Sequence, residues 1–449
     1  MGPFRYHAFV CTQEKPDGVP CCSAAGSFRV LDALHRELGV KGLSDEVQVS
    51  SCGCLGLCDS GPVMIVYPEG TWYTKLTPPD VSEIVSSHLQ NGKRVDRLIR
   101  DDSDAMKAEI IEHRNRYLAM LKAQDAAGIL PDDVVDLVRG FMPSRIVLTA
   151  LELDVFTAVG EGGMAADIAP RIECAKRATE MLLNALVALK LLSKQGDTYT
   201  NTPVSARFFV EGTRDSARLG QLHMANMWKR WSTLTDAVRE GTAVAPRPSD
   251  GSVKPFIAAM DVNARGRSRA ISQAVGLNGT KFMLDLGGGS GAYSIAFANA
   301  APELHSEIID MADVLPITEE HIRKAGLADR ITTRPGDMLT VQLETGKYDL
   351  VLLSAICHMF APQENEQLLQ RAYQALAPKG RLVISDFVLE PDKTAPRFAA
   401  LFSLNMLVAT RAGASYSEPE YTGWMKHAGF AEVKRVRLPG PANLMIGTK

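Results

Sequence analysis

The sequence predicts an α/β protein of three units: a small cysteine-rich α/β unit, a helical winged-helix-like module, and a C-terminal doubly wound sheet. Three observations predict this. Six of the eight cysteines lie within the first 58 residues. Ala and Leu at helical spacing fill residues 131–240. From about residue 255, short apolar strands alternate with helical stretches, the pattern of a parallel sheet. The expected boundaries are 1–98, 99–254 and 255–449, and a division is needed because 449 residues exceed a single core.

The composition, 46% hydrophobic and 22% charged, is that of ordinary globular domains. Forty-nine Lys plus Arg against 52 Asp plus Glu leave a net charge of −3, which argues against a nucleic-acid or polyanion binder. No apolar run reaches membrane-spanning length; residues 182–192 are too few and include Lys190. The first residues lack a signal-peptide apolar segment, and Tyr6 breaks the myristoylation pattern. A cytoplasmic enzyme without membrane or nucleic-acid partners is expected. In that compartment clustered thiols read as metal or redox chemistry, whereas the scattered Cys174 and Cys357 read as buried small hydrophobes.

Along the first unit, residues 7–10 are strand-like and run into Cys11. Val30, Leu31, Leu34 and Leu38 give residues 27–38 one apolar helical face. Short strands over 47–49 and 63–67 flank a Gly/Cys-rich turn; Pro68-Glu69-Gly70 turns the chain into a returning strand over 72–75. Residues 79–89 form an amphipathic helix, and the charged stretch 91–130 a solvated connecting helix. Leu182, Leu183, Leu186, Leu189 and Leu191 lead into the hairpin signal at residues 194–199. Helices ending in a hairpin suggest a winged helix, but no basic recognition helix accompanies it. The Pro/Gly-rich residues 241–254 read as a linker. Strands are then expected at 283–286, 307–309, 331–333, 350–353 and 382–385.

Leu284-Asp285-Leu286-Gly287-Gly288-Gly289-Ser290-Gly291 follows the first of these strands and precedes a helix over 292–300. Consecutive glycines let a backbone approach a ligand that any Cβ would exclude, and the helix start offers free N–H groups. The dinucleotide pattern Gly-x-Gly-x-x-Gly fits only in its looser form, with Ala292 at the sixth position. The segment more closely resembles the Asp-x-Gly-x-Gly-x-Gly loop of class I S-adenosylmethionine-dependent methyltransferases, with Asp285, Gly287, Gly289 and Gly291 in those places. The likeness extends over most of the last 320 residues and points to the O-methyltransferase family of plant phenolic and bacterial pigment enzymes.

That resemblance implies a Rossmann-like fold and S-adenosylmethionine as cofactor. It implies that Asp310, at the second strand's end, binds the ribose hydroxyls, and a carboxylate's two accepting oxygens suit a vicinal diol. Asp337 and Met338 after the third strand would meet the adenine. The helical module resembles the family's dimerisation domain, which implies a homodimer in which the partner helps cover the site. Ile356-Cys357-His358 resembles a stretch carrying the family's general base, with Asp386 at the position of the carboxylate that orients it. Removing a proton from a hydroxyl is what methyl transfer to oxygen requires, and histidine titrates in the useful range. The family's Asp-Trp after the histidine is here Met359-Phe360, and its orienting Glu is the shorter Asp386. Phe402, Asn405 and Met406, with Met224, Met227, Trp228 and Trp231, are candidates for the pocket wall.

Cys54-Leu55-Gly56-Leu57-Cys58 brings two thiols into one turn, and Cys11 and Cys22 supply two more, enough for a two-iron cluster. A zinc site normally has both pairs at short spacing, and Cys11 and Cys22 are far apart. Residues 6–98 resemble the thioredoxin-like [2Fe-2S] ferredoxins, through residues 7–11, the 54–58 loop and residues 66–73. The resemblance favours Cys22 over Cys21 because Gly26-Ser27 follows at the family's offset; Cys21 and Cys52 are surplus and either is a possible substitute.

The combined expectation is methyl transfer to an oxygen of a small molecule, with an iron–sulfur domain of structural or redox role and a possible redox partner. Two alternatives stay open: S-methylation of a small thiol or sulfide, and an iron–sulfur redox sensor or electron carrier whose methyltransferase fold only binds ligand. A winged-helix regulator is a distant third.

Overall fold

A computed structural model describes residues 3–15, 19–128, 130–245 and 253–449. The chain divides into two units, Met1–Phe141 and Met142–Lys449. In the first, strands β1 (Tyr6–Cys11), β2 (Val47–Cys52), β3 (Met64–Tyr67) and β4 (Thr71–Tyr73) form a sheet in the order β2-β1-β3-β4. β1 pairs in parallel with β2 and antiparallel with β3. Helix Ser27–Lys41 turns Val30, Leu34 and Leu38 onto that sheet, spaced as one helical face, and the helix stops at Gly42.

Two elements differ from expectation. The helix expected over 79–89 is an α-helix over Pro78–Ile84 that widens into a π-turn over Val85–Leu89. The wider turn carries His88 inward, where its Nδ1 meets the Tyr73 hydroxyl at 2.9 Å. The connecting helix is shorter, Ser103–Ala126, because Ile99 pairs with Tyr73 and holds the preceding chain extended. It is also not wholly solvated: Met106 is buried and Ile110 packs beside it, in a small core with Cys11, Cys22 and Leu57.

The helix Phe141–Glu152 runs from the last residue of the first unit into the second, whose helices Val155–Val159, Ala165–Arg171 and Lys176–Ala188 surround a core of Phe156, Leu183, Leu186 and Tyr199. Strands β5 (Gly163–Met164), β6 (Leu192–Gln195) and β7 (Thr198–Asn201) make the wing, with β6 and β7 as the expected hairpin. Of the expected linker 241–254, residues 246–252 lie outside the described residues, and helix Val253–Val275 already starts within its end.

The principal sheet contains β8 (Phe282–Leu286), β9 (His305–Asp310), β10 (Ile331–Pro335), β11 (Tyr348–Ser354), β12 (Leu376–Asp386), β13 (Glu432–Val436) and β14 (Asn443–Thr448), in the order β10-β9-β8-β11-β12-β14-β13. The five expected strands are present and parallel. The sheet is nevertheless mixed, because β14 runs antiparallel to β12 and β13 antiparallel to β14. Apolar cores cover both faces, and strand order reverses between β8 and β11. Open α/β sheets bind ligands at that reversal, beyond the carboxyl ends of the strands.

Candidate functional site

The glycine-rich turn leaves β8 with Gly287 at φ +72°. A Cβ there would lie 2.3 Å from Ile356 Cδ1 and 3.0 Å from Met338 Cε, so only glycine fits. The Gly289 N–H donates to Asp310 Oδ2 at 2.8 Å and the Met311 N–H to Asp310 Oδ1 at 2.7 Å. Asp310 therefore stands fixed at the end of β9, with one lone pair on each oxygen still open. Burial pushes its carboxyl up, against the lowering by those two N–H donors. Asp337 is exposed two residues beyond β10, with its Oδ1 accepting from the Leu339 N–H at 2.8 Å, and Met338 is half-buried against the core that Ile356 joins.

Asp285 is different. It is buried below the turn, accepts from Ser294 Oγ at 2.7 Å, and Ser294 in turn meets Ser306 at 2.9 Å. Burial pushes its carboxyl up to about 7, with the Ser294 hydrogen bond opposing and the nearby Asp310 charge adding. The folded chain thus holds this proton more tightly than the unfolded chain. With respect to this group, stability is greatest below the unfolded value near pH 4 and falls as the pH rises through about 7. Asp285→Asn removes that penalty and keeps an acceptor for Ser294. Denaturant titrations of the ligand-free protein should show the variant gaining on the order of 3 kcal/mol relative to the native chain between about pH 4 and pH 8. Parallel stability curves for the two proteins would contradict this.

His358 follows β11 in a tight turn, Cys357–Met359, and is buried. Its Nδ1 lies 2.7 Å from Asp386 Oδ1, and its backbone N–H donates to Asp386 Oδ2 at 3.2 Å. Asp386 ends β12 and also accepts from the Phe387 N–H at 2.8 Å and the Tyr421 hydroxyl at 3.2 Å. Burial alone would raise its carboxyl; the His358 charge and these hydrogen bonds prevail and hold it below the usual carboxylate range. An ionised carboxylate only accepts, so Nδ1 carries a proton whether the ring is charged or neutral, and in the neutral ring Nε2 keeps the free lone pair.

Phe387 stacks on the imidazole with centroids 5.9 Å apart, and Phe402 meets it edge-on at 4.9 Å. Phe398 contacts both phenyl rings. Of the expected wall residues, Phe402 is the one against His358. Asn405 accepts from Trp231 Nε1 at 2.8 Å, and Met227 and Met406 are buried in packing. Phe387, Phe398 and Tyr421 were missed. Phe387 adjoins Asp386 and was findable; Tyr421 is 35 residues from its partner, with no local signal.

In the first unit, Cys54 and Cys58 have sulfurs 3.4 Å apart, and Cys11 is hydrogen-bonded to both Cys22 and Cys54. The hydrogen bonds shared among these thiols push Cys54 and Cys22 down and Cys11 and Cys58 up. Lys15 Nζ approaches Cys58 Sγ at 3.0 Å. A Cβ on Gly61 would lie 3.0 Å from Cys22 Sγ. Four converging soft donors beside a backbone with no room to spare fit a two-iron cluster. Cys21 accepts from the Ala24 N–H at 3.4 Å, and Cys52 sits at the end of β2, packed against the small core that holds Cys11 and Cys22. Cys357 is buried as expected, and Cys174 is half-buried with its thiol donating to the Ile172 carbonyl.

A glycine turn between carboxylate-tipped parallel strands defines a class I S-adenosylmethionine-dependent methyltransferase, here joined to a thioredoxin-like iron–sulfur unit. Family models match in the same order: the thioredoxin-like [2Fe-2S] ferredoxin over residues 5–88, the O-methyltransferase dimerisation domain over 135–211 and the O-methyltransferase domain over 231–431. The chain is 32% identical to the 3-hydroxy-5-methyl-1-naphthoate 3-O-methyltransferase of Streptomyces sahachiroi, over 71% of this chain and 95% of that one. It is 30% identical to the tetracenomycin polyketide synthesis 8-O-methyl transferase of Streptomyces glaucescens, over 71% and 97%. The solved structure of PigF with SAH matches at a TM-score of 0.67 and 27% identity, over 72% of this chain and all of that one. The chain belongs to the O-methyltransferase family. It is an S-adenosylmethionine-dependent methyltransferase acting on a small molecule, with a fused [2Fe-2S] domain.

Proposed function

We propose that this enzyme methylates a hydroxyl on a planar aromatic small molecule, with His358 as general base and Asp386 as its positioning residue. The observation that carries the reading is the buried His358–Asp386 pair at 2.7 Å beneath three phenylalanine rings. S-adenosylmethionine, when bound, supplies the methyl group from its sulfonium. Asp285, Gly287, Gly289 and Gly291 would shape the seat for it; Asp310 would hold its ribose, and Asp337 and Met338 its adenine. Asp386 keeps Nδ1 protonated, so that Nε2 takes the hydroxyl proton as the oxygen becomes nucleophilic. The phenylalanines exclude water and hold a flat ring in register, which is most of what a displacement of this kind asks of a protein. A thiol acceptor is not favoured, since the relatives named above are O-methyltransferases. The reading is tested by turnover against pH with phenols of graded acidity. A dependence on base that weakens as the phenol becomes more acidic supports it; a flat profile for every phenol counts against it.

We further propose domain limits of 1–98, 99–254 and 255–449, and a homodimer through the helical module. Leu137 and Val138, each about 70% exposed, offer apolar surface in the stretch matched to the dimerisation domain. Among the described residues no helix is long and apolar enough to cross a membrane; we propose a cytoplasmic enzyme.

Cys11, Cys22, Cys54 and Cys58 would hold the cluster, which when bound supplies one-electron chemistry or a structural staple. Methyl transfer moves no net electrons, so a redox partner would act outside that step. Cys54→Ser and Cys58→Ser should each lose most of the bound iron, whereas Cys21→Ser and Cys52→Ser should keep it, read by iron and sulfide content after anaerobic purification. Loss of iron from either of the second pair would reassign the ligands.

A further inference from the structure

Helix Val253–Val275 carries two arginines two residues apart with opposite fates. Arg265 is tied to Asp261 Oδ2 at 2.8 Å on the flank towards His321. Arg267, half-buried, has no carboxylate partner among the described residues. Its guanidinium instead stands 5.9 Å over the centroid of Phe387, the ring that stacks on His358 at the same spacing. On the neighbouring helix, Arg267 acts on Tyr293, whose hydroxyl interacts with Ser354 and Ser385 at the carboxyl ends of β11 and β12. The cation is thus near the strand ends, one aromatic ring away from the base.

A half-buried guanidinium has given up water without gaining a counter-ion, and a contact with a phenyl face at the limit of useful range repays little of that. A ligand anion would complete it. The planar fork of arginine matches a carboxylate with two parallel hydrogen bonds. The imidazole and the guanidinium are at most two steps of 5.9 Å apart, a span that a hydroxyl and a carboxylate on opposite sides of a small fused aromatic can bridge.

We propose that Arg267 is an anion subsite which binds the carboxylate of a small molecule held in the methyl-transfer site, and so selects carboxylate-bearing ligands. The inference rests on the methyl-transfer reading above. Two bound molecules bring that chemistry: an acidic acceptor, or the methionine portion of the cofactor.

Calorimetry on the full-length native protein, Arg267→Gln and Arg267→Lys separates these sources. One matched pair of probes is S-adenosylhomocysteine and 5′-methylthioadenosine, which lacks the amino-acid carboxylate. The other, added to protein saturated with S-adenosylhomocysteine, is 6-hydroxy-2-naphthoate and 2-naphthol, which differ only in the carboxylate. In Arg267→Gln, affinity for the acidic member of one pair should fall at least about tenfold while its neutral mate is unchanged, with partial recovery in Arg267→Lys. Loss confined to the naphthoate places the subsite in the acceptor pocket; loss confined to S-adenosylhomocysteine places it on the cofactor. Equal affinities for native and Arg267→Gln proteins in both pairs would overturn the proposal. A native protein that binds no S-adenosylhomocysteine would overturn the methyl-transfer reading and this inference with it.

Discussion

His358→Ala is expected to lower kcat by about two to four orders of magnitude while the affinity for S-adenosylhomocysteine stays within about twofold of native. The split follows from position. His358 is buried against Phe387 and Phe402, beyond β11, whereas the glycine turn and Asp310 lie beyond β8 and β9. Alanine removes the Nε2 lone pair and leaves the cofactor seat intact. Asp386→Asn should act in the same direction by another route. An amide can donate to Nδ1 as well as accept from it, so the tautomer with Nε2 unprotonated is no longer enforced. It also leaves the Tyr421 hydroxyl and two backbone N–H groups facing a weaker acceptor, so some loss of stability should accompany the loss of rate. If His358→Ala keeps native kcat on an acceptor that the native enzyme turns over, His358 is not the base.

Gly287→Ala should damage the cofactor seat through a single methyl group. At φ +72° an L-residue costs about 1 kcal/mol in backbone energy alone. Its Cβ would also overlap Ile356 Cδ1, only 2.3 Å away. Ile356 cannot move freely, because it is buried in the principal core and Cys357 and His358 follow it. The clash therefore displaces either the turn or the base. The dissociation constant for S-adenosylhomocysteine should rise at least about a hundredfold, equivalent to about 2.7 kcal/mol. Gly346→Ala is the control. Its φ of +70° carries the same backbone strain, yet its Cβ meets nothing within 4 Å. It should cost about 1 kcal/mol of stability and leave ligand affinity unchanged, as read by calorimetry and denaturant titration. Equal losses of affinity in the two variants would mean that general destabilisation, not the cradle, is being measured.

Much of the architecture is legible because local chemistry dictates it. Apolar strands between helices predict the five parallel strands, and the helix after the glycine turn falls at Ala292–Ala300, as its sequence requires. β13 and β14 escaped notice. Glu432–Val436 mixes charged with apolar residues as an edge strand does, and nothing local says that Asn443–Thr448 returns antiparallel to β12. The charges spread around the helix Ser103–Ala126 predict a solvated one; the two side chains that matter, Met106 and Ile110, acquire meaning only against the cysteine loop.

The candidate site follows the same division. Glycines and strand-end acids announce themselves through backbone requirements and spacing. Tyr421 beneath Asp386 and Arg267 above Phe387 depend on elements far apart in the chain that the fold alone brings together. Likewise, nothing local to the sequence shows that the turn at Cys54–Cys58 meets Cys11 at the end of β1.

The central claim is that one chain carries a methyl-donor site and an iron–sulfur site. Its most direct test is a single anaerobic preparation analysed for iron, acid-labile sulfide and bound S-adenosylhomocysteine at saturation. Two irons, two sulfides and one S-adenosylhomocysteine per chain are expected, with the visible absorption of a two-iron cluster. Full S-adenosylhomocysteine binding by a colourless protein that takes up no iron on reconstitution would contradict the first half of the chain's assignment, and a coloured protein that binds no S-adenosylhomocysteine would contradict the second.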